Sequence, residues 1–238
     1  MGQGRAAAHV FVADPEHPEL SPEDRHHLLK VLRLRAGEIV TVSDGAGRRR
    51  WCRFGGGAGA SLEPVGDVEA DPRPAPPVGV GFALTKGSKP ELAVQKLTEL
   101  GVDVIVPFVA ERSVVRWTHE QAGAHVDRWR RIAREAAMQC RRVWLPEIAP
   151  VTTFADLVAR PGTALAAPDG MAPSPAAHRV VLVGPEGGWS DDELEAAATY
   201  GCARVRLGPH VLRAETAAIA AGILLAAVRD GLLAGPDS

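Results

Sequence analysis

Cysteine is scarce in this sequence, which contains only Cys52, Cys140 and Cys202. The three residues lie far apart, form no CxxC pair and are odd in number, so they indicate neither a disulfide framework nor a zinc site. None of the eight histidines belongs to an HExxH motif, and no cluster of histidine with acidic residues has the spacing of metal ligands. We therefore expect no metal ion.

Long hydrophobic runs are also absent. The longest one, Ala217 to Val228 between Glu215 and Arg229, is too short to cross a bilayer of roughly 30 Å, and it predicts a buried helix. The first residues, MGQGRAAAHV, lack the apolar stretch and the cleavage site of a secretory signal. We therefore expect a cytoplasmic protein with no membrane segment.

Net charge is small, at −2 over 238 residues, but the charge is unevenly distributed. From Arg25 to Arg53 there are eight basic and two acidic residues, and from Arg112 to Arg142 eight basic and three acidic. Such segments are typical of a phosphate-binding surface, because each cation that meets a phosphate releases a condensed counterion. A solvated helix face with a bias toward arginine explains the charge equally well.

Hydrophobic residues make up 46% of the chain, enough for one large domain or two modest ones. The first 65 residues contain short alternating segments that predict strands, namely HVFVAD, EIVTVS, RRWCRF and ASLEPV. Asp44-Gly45 provides a hairpin signal between the second and third segments, and one helix is predicted near Pro22 to Leu34. Strands separated by turns favour a small β-barrel, a candidate binding module.

A domain boundary is predicted within Asp67 to Pro77, DVEADPRPAPP, because this segment is too rich in proline to continue a helix or a central strand. We expect a first domain at 1–70, a linker at 71–77 and a second domain at 78–238.

Beyond the linker, the pattern changes to strand, helix, strand: VGVGFAL, a helix from about Lys89, then VDVIVPFVA. Ser88 and Glu91 have the spacing of a capping box, and Gly101 stands where a helix should end. A long amphipathic helix is predicted from about Glu120 to Arg142.

The last third alternates in the same way. VVLVG predicts a strand, GPEGGWS a loop, Ser190 with Glu193 the start of a helix, ARVRLG another strand, and the residues after Glu215 the apolar helix. Alternation of this kind predicts an α/β domain with a parallel sheet covered on both faces.

Two loops follow neighbouring strands of this sheet, where ligands bind in open parallel sheets. Gly184 to Gly188, GPEGG, combines three glycines with a carboxylate, so the main chain can approach a ligand. The loop is neither a GxGxxG fingerprint nor a Walker loop, and an ordinary tight turn is the alternative.

The second loop, Gly208 to Thr216, places Arg213 and Glu215 directly before the apolar helix. The alternative interpretation is purely structural. In it, Glu215 or Thr216 caps the helix, and Arg213 is a solvated neighbour of that cap.

Together, the segments VLVGPEGGWS and VRLGPHVLRAETAA resemble the C-terminal signature of the RsmE family. TKGSKPELAVQKLTELGVDVIVPFVAERS is similar to the middle segment of that family, and VFVAD with HHLLKVLRLRAGE is similar to its opening. Members methylate N3 of a uridine in 16S ribosomal RNA of the small subunit with S-adenosylmethionine.

The resemblance implies a PUA-like barrel joined to a SPOUT methyltransferase domain with a deep trefoil knot, and a homodimer with active sites at its interface. It also implies a set of residues that hold S-adenosylmethionine: Leu165, Gly184, Pro185, Glu186, Gly187, Gly188, Leu207, Gly208, Leu212, Arg213 and Thr216. Leu165 belongs to the segment up to Pro168, which corresponds to a further loop near the cofactor.

For catalysis, the hypothesis assigns charge stabilisation on the uracil to Arg213 and leaves proton removal open between Glu215 and Glu186. RNA contacts are expected from a set of basic residues: Arg33, Arg35, Arg48, Arg49, Arg50, Lys86, Arg112 and Arg141. The sequence departs from the family at His9, where members often carry arginine, and at Met138 to Arg142, where an EQxGR-like run is common.

Three alternatives stay open at this point. A SPOUT enzyme could act on another RNA atom, and a non-catalytic RNA-binding module could have kept the fold. A nucleotide-binding dehydrogenase is disfavoured, because VGVGFAL lacks the third glycine of the dinucleotide fingerprint.

Overall fold

The computed structural model describes residues 6–56 and 60–234. Residues 1–5, part of the segment inspected for a secretory signal, lie outside the described residues. The chain forms two compact units, Met1–Arg73 with Arg134–Leu145, and Pro74–Ala133 with Pro146–Ser238. The division after Arg73 falls within the segment 71–77 that the sequence predicts as a linker.

The first unit is built on a five-stranded sheet with the order β1-β2-β3-β4, in which β5 also pairs with β3. Its strands are β1 (Ala8–Phe11), β2 (Ile39–Ser43), β3 (Arg48–Phe54), β4 (Leu62–Pro64) and β5 (Glu69–Ala70). The four predicted strands are confirmed, and β1 pairs with β2 in parallel while the remaining pairs are antiparallel. Alternate residues of β2 and β3, including Val40, Val42, Cys52 and Phe54, form the core of this unit.

The helix predicted near Pro22 to Leu34 is shorter than expected. An α-helix, α1 (Pro22–His26), is followed by a π-helical turn over His27–Val31. Ser21 caps α1, since its side chain accepts a hydrogen bond from the Asp24 backbone N–H at 3.0 Å. Arg33 then adopts a φ of 53°, a left-handed conformation that ends helical geometry before Leu34.

The hairpin signal at Asp44-Gly45 is confirmed. Asp44 Oδ1 accepts hydrogen bonds from the backbone N–H groups of Ala46 at 2.7 Å and Arg48 at 3.1 Å. Gly45 takes a φ of 75°, which a residue with a side chain rarely adopts. The turn therefore joins β2 to β3 in the register Ser43 opposite Arg49.

A long helix, α3 (His119–Cys140), confirms the amphipathic segment, but its last turns group with the first unit. Arg134 forms a two-pronged ion pair with the buried carboxylate of Asp24, with N···O distances of 2.9 and 2.8 Å. Trp144 donates its indole N–H to the carbonyl of Asp71 at 3.1 Å. The sequence prediction placed 134–145 in the second domain; a buried carboxylate needs a cationic partner, and this segment supplies it.

The second unit contains a parallel sheet with the order β12-β10-β11-β6-β7-β8, in which β9 also pairs with β7. Its strands are β6 (Gly79–Ala83), β7 (Val104–Val109), β8 (Glu147–Ile148), β9 (Thr152–Thr153), β10 (Thr163–Met171), β11 (Val180–Val183) and β12 (Ala203–Val205). The strands predicted at β6, β7, β11 and β12 are confirmed.

The prediction that Leu165 to Pro168 is a loop is wrong, because these residues belong to β10. The strand continues to Met171 through Pro168, Asp169 and Gly170, residue types that are depleted in strands. Pairing with β11 is limited to Thr163–Leu165, and pairing with β12 shifts register between Ala166 and Met171, where Pro168 and Asp169 are exposed.

Helices cover both faces of this sheet, as the sequence predicts. They are α2 (Lys89–Glu99), α4 (Phe154–Val158), α5 (Asp191–Thr199) and α6 (Ala214–Arg229), in addition to α3. Val181 and Val183 of β11 pack in one hydrophobic cluster with α2, α3 and α6, whereas Leu182 packs in the other with α4 and α5. Successive residues of β11 thus point to opposite faces.

Helix capping follows the prediction at one of two helices. At α5, the Ser190 hydroxyl accepts the Glu193 N–H at 3.1 Å, and the Glu193 carboxylate accepts the Ser190 N–H at 3.0 Å. At α2 the predicted capping box is wrong, because Ser88 has a ψ of 11° instead of extended geometry and its side chain makes no capping bond. Gly101 has a φ of 84° just after α2, as predicted.

The apolar run becomes α6, whose buried face includes Ala218, Ala221 and Leu225. This confirms the predicted buried helix. Over residues 6–56 and 60–234, no helix combines the length and the apolar character that a bilayer crossing requires.

Candidate functional site

A cavity of about 660 Å³ lies at the carboxyl ends of β10, β11 and β12 and at the start of α6. We call it the large cavity. Its volume falls within the range of small-molecule and cofactor sites. It is lined by Lys89, Ala166, Ala167, Pro168, Val183, Gly184, Pro185, Glu186, Gly188, Trp189, Arg206, Leu207, Gly208, His210, Val211, Leu212, Arg213, Ala214 and Ala217.

The loop after β11 is shaped by Trp189. The indole N–H of Trp189 donates to the carbonyl of Ala166 at 3.0 Å, and the ring stacks on Phe108. A Cβ at Gly184 would lie 3.0 Å from the Trp189 ring, so Gly184 is needed to make room for the tryptophan. Gly188 has a φ of 71°, which explains the last glycine of GPEGG by backbone conformation.

The loop after β12 leads into α6 through Arg213, which occupies the N-cap position with extended geometry and no side-chain capping bond. The alternative that Glu215 or Thr216 caps this helix is therefore wrong. Arg213 and Val211 both line the large cavity, and Val211 is 91% exposed at its rim.

Glu215 lies in the first turn of α6, where the helix dipole favours a carboxylate. Its Oε2 atom is buried and has no hydrogen-bond partner among the described residues. The side chain lines a narrow cleft with Thr85 and Lys89 and does not line the large cavity. An ionisable oxygen without a partner is costly to bury, which marks Glu215 as a candidate functional group.

Lys89, the first residue of α2, forms an ion pair with Glu186 at the wall of the large cavity. The hydrogen bond and charge of Lys89 hold the pKa of Glu186 below its usual range, and Glu186 raises the pKa of Lys89. The sequence prediction missed Lys89. One signal was present, because a cation at a helix N-terminus opposes the helix dipole and needs an acidic partner.

Arg112, which the sequence predicts to contact RNA, supports the loop after β11. Its guanidinium donates to the carbonyls of Gly187 and Trp189, both at 3.0 Å. The neighbouring Glu111 N–H donates to the carboxylate of Glu193 at 2.9 Å. These bonds tie the segment after β7 to the loop that borders the large cavity.

Most residues predicted to bind the cofactor line the large cavity. They are Gly184, Pro185, Glu186, Gly188, Leu207, Gly208, Leu212 and Arg213. Leu165 does not, since it is 1% exposed within the core, and its neighbours Ala166 to Pro168 line the cavity instead. Gly187 lines an adjoining cavity, and Thr216 lies in the first turn of α6 outside the lining.

The arginine run of β3, expected to contact RNA, has internal partners. Arg48 pairs with Glu16 at 3.1 Å, and Arg49 pairs with Glu69 at 3.0 Å. Arg50, whose side chain is 17% exposed, donates to the carbonyl of Gly66 at 2.8 Å. This run is therefore less available to phosphates than its sequence suggests.

Three other basic residues of the first unit remain candidates for RNA contact. Arg33 and Arg35 are exposed and make no side-chain hydrogen bond or ion pair with the described residues. Arg141 follows α3 directly and adopts a φ of 62°, a left-handed conformation. The helix end at Met138 to Arg142, where the sequence departs from the family, is therefore formed by an arginine.

His9 occupies the position where family members often carry arginine. It is 3% exposed, and its ring nitrogens lie 2.8 Å from Thr41 Oγ1 and 3.1 Å from Ser43 Oγ. Burial, assisted by the charge of Arg141, lowers the pKa of His9 to about 4. A neutral buried ring cannot replace an arginine that binds phosphate.

Among the described residues, no group of three or more His, Cys, Asp or Glu side chains could hold a metal ion. The candidate functional groups of the site are backbone atoms of the two loops, the Lys89–Glu186 pair, Arg213 and Glu215.

Comparison with known proteins places this geometry in a class. Residues 72–226 match the family model of the RNA methyltransferase domain, and residues 20–54 match that of the RNA methyltransferase PUA domain. The parallel sheet, the large cavity and these matches define an RNA methyltransferase that carries a PUA domain. The chain belongs to the ribosomal RNA small subunit methyltransferase E family.

Curated relatives support the family over most of the length. The Mycobacterium bovis protein of that name is 35% identical over 214 residues, covering 84% of this chain and 82% of the relative. The Bacillus subtilis protein of that name is 30% identical over 220 residues, covering 83% and 85%.

Solved structures agree with the fold. A methyltransferase from Legionella pneumophila in complex with S-adenosylmethionine aligns with a TM-score of 0.80 at 26% identity, covering 96% of this chain and 98% of its own. The Neisseria gonorrhoeae ribosomal RNA small subunit methyltransferase E bound to S-adenosylmethionine aligns with a TM-score of 0.76 at 26% identity, covering 94% and 97%.

Proposed function

We propose that this protein transfers a methyl group from S-adenosylmethionine to N3 of a uridine in 16S ribosomal RNA of the small subunit. The observation that carries the proposal is the large cavity, built by loops at three neighbouring strand ends. The motifs of those loops are the ones that resemble the RsmE family.

The large cavity suits S-adenosylmethionine in size and chemistry. Ala166, Leu207 and Leu212 offer apolar surface for the adenine ring. A Cβ at Gly208 would meet only the Leu212 side chain, at 3.9 Å, so the main chain is open toward a ligand there. S-adenosylmethionine bound there would supply a methyl group that is activated by the positive charge on its sulfur.

Arg213 is the group that we assign to charge stabilisation. Uracil N3 has a free lone pair only after it loses its proton, and negative charge then spreads onto the uracil oxygens. Arg213 lines the large cavity, so its guanidinium can donate hydrogen bonds to such an oxygen. Alignment of nitrogen, methyl carbon and sulfur is a positioning task for the loops.

The proton acceptor that we favour is Glu215. Glu186 is a poorer base, because Lys89 lowers its pKa and holds it ionised. The Oε2 atom of Glu215 has no hydrogen-bond partner among the described residues and lies beside Lys89 in the narrow cleft. This supports Glu215 as a group that gains a partner when substrate binds.

The first unit is proposed to bind RNA as a PUA-like barrel, with contacts from Arg33, Arg35 and Arg141. We further propose that the second unit carries the deep trefoil knot of SPOUT enzymes and that the protein acts as a homodimer in the cytoplasm. The exposed Ile223 of α6 supports such an interface, because it lies on a helix that otherwise packs in the core.

The decisive experiment is methyl transfer in vitro to small subunits from a strain that lacks the gene, with labelled S-adenosylmethionine. Nuclease digestion and mass spectrometry should locate the label on N3 of one uridine. Label on a ribose hydroxyl or another base would favour a different SPOUT activity. Calorimetry that shows no cofactor binding would indicate a non-catalytic RNA-binding module.

A further inference from the structure

A second cavity, of about 120 Å³, adjoins the large cavity, and we call it the side cavity. The two share Lys89, Pro185 and Glu186 as a common wall. The side cavity is bounded on its other sides by the end of β6 and by the segment after β7. It has room for on the order of ten water-sized groups, which is comparable to a single pyrimidine ring.

The walls of the side cavity combine apolar and polar surfaces. Leu84, Val114 and Pro185 offer aliphatic faces, while Thr85 and Lys86 offer donors. Lys86 is exposed and makes no hydrogen bond or ion pair with the described residues, so its ammonium group is available to a ligand. Arg112 is not available in the same way, because it donates to two loop carbonyls.

The shared wall presents both a donor and an acceptor. Lys89 supplies an ammonium group, and Glu186 supplies a carboxylate that is paired with it. A uracil ring has flat apolar faces, two carbonyl oxygens that accept hydrogen bonds and an N3–H between them that donates one. The side cavity offers donors for the carbonyl oxygens, and it shares Thr85 and Lys89 with the narrow cleft that holds Glu215, the proposed proton acceptor.

We propose that the side cavity binds the target uracil, with Lys86 at one carbonyl oxygen, the other oxygen turned toward Lys89 and Arg213, and aliphatic walls against its faces. This inference rests on the proposed function and deepens it, because it names where the accepting base lies relative to the cofactor. The base would be unstacked from its neighbours in the RNA and would enter the side cavity. The shared wall would then orient N3 toward the large cavity.

Val114→Trp tests the proposal by filling the side cavity. Val114 is 68% exposed and does not line the large cavity, so a larger side chain can be tolerated by the fold. We expect methyl transfer to fall at least 100-fold, with the affinity for S-adenosylmethionine measured by calorimetry unchanged. Tyr200→Trp, an enlargement at an exposed position of the second unit outside the described cavities, should transfer at the wild-type rate.

Photo-crosslinking gives a readout that does not depend on activity. Small-subunit RNA with 4-thiouridine at the methylated position, as mapped by the transfer experiment, is irradiated with the wild-type protein. Adducts are expected on residues 84–89 or 112–116 and should be lost in Val114→Trp.

Full transfer by Val114→Trp, or adducts confined to other segments, would overturn the side-cavity assignment and leave the methyltransferase proposal intact. If Val114→Trp also loses cofactor affinity, the positions of the adducts in the wild-type protein decide whether the side-cavity assignment holds. A wild-type protein that neither binds the cofactor nor transfers methyl would overturn both.

Discussion

Lys89 and Glu186 meet at the wall of the large cavity although 97 positions separate them in the chain. Their pairing changes what each can do. Glu186, one of two candidate bases by sequence, is kept ionised with a lowered pKa, which makes it a weak proton acceptor. Lys89, with a raised pKa, remains a cation that faces both cavities.

Arg213→Ala should separate chemistry from cofactor binding. Removal of a donor aimed at a developing negative charge typically costs about 100- to 1,000-fold in kcat, and we expect a loss of that order. Cofactor affinity should change by less than about threefold, because we assign cofactor binding to the two strand-end loops as a whole and not to this one side chain. Single-turnover methyl transfer and calorimetry measure the two quantities.

Arg160→Ala, an exposed arginine just after α4, serves as the matched control. Full transfer by Arg213→Ala would refute the assigned role, and a loss of cofactor affinity equal to the loss of rate would reassign Arg213 to cofactor binding.

Gly184→Ala should disturb both stability and cofactor binding. The added methyl group would lie 3.0 Å from the Trp189 ring and would press on it, which strains its contacts with Phe108 and Ala166. Overpacking of this kind costs about 1–3 kcal/mol in the free energy of unfolding. Urea denaturation measures that loss, and calorimetry should show weaker binding of S-adenosylmethionine.

Gly208→Ala provides the comparison for stability, because its new methyl group would meet only Leu212 at 3.9 Å. Equal destabilisation by the two substitutions would contradict the explanation based on Trp189.

At the scale of elements, the loop after β11 is held from two directions. Arg112 binds its carbonyls at Gly187 and Trp189, and the Ser190–Glu193 capping box starts α5 directly behind it. Glu193 also accepts the N–H of Glu111, so the loop and the segment after β7 form one hydrogen-bonded structure. The glycine-rich loop is therefore preorganised rather than free.

Arg112→Ala should weaken cofactor binding without weakening RNA binding. Loss of both bonds to the loop removes its support, and we expect the Kd for S-adenosylmethionine to rise about tenfold, or ~1.4 kcal/mol. RNA affinity, measured by filter binding, should stay within the error of the wild-type value.

Arg116→Ala is the matched control for Arg112→Ala, since Arg116 donates only to carbonyls of its own segment, at Glu111, Ser113 and Val115. A selective loss of RNA affinity in Arg112→Ala would restore the RNA-contact hypothesis for this residue.

For the molecule as a whole, His9 links the stability of the first unit to pH. Burial lowers its pKa in the folded state to about 4, whereas the unfolded chain takes up the proton near the ordinary value of 6.5. The neutral His9 ring therefore makes its full contribution to the stability of the folded state above pH 6.5. That contribution is lost as the pH falls toward 4. The loss amounts to about 3 kcal/mol, at ~1.36 kcal/mol per pH unit.

His9→Gln should remove this part of the acid dependence. Urea unfolding at pH 7 and at pH 4.5 would show a smaller difference between the two conditions in the variant than in the wild-type protein. His26→Gln, at an exposed position of α1, should keep the wild-type difference. An unchanged difference in His9→Gln would show that other groups cause the acid dependence.

Local patterns were sufficient for several features of this protein. Alternating apolar residues predict β6 and β11, and the spacing of Ser190 and Glu193 predicts the start of α5. The order of the two strand-end loops, with GPEGG before Arg213 and Glu215, predicts the cavity and the family. These features depend on residues within a few positions of one another, so their physical causes are visible in the sequence.

Other features required the folded chain. β10 resumes its pairing with β12 at Met171 after a register shift that contains Pro168 and Gly170, Arg134 groups with the first unit because Asp24 is buried, and Arg112 binds a loop some 75 positions away. No local spacing encodes such partners, since burial and ion pairing between distant segments are decided only when the sheets and helices pack. The same packing gave Arg49 and Arg112 internal partners and brought Lys89 to the site.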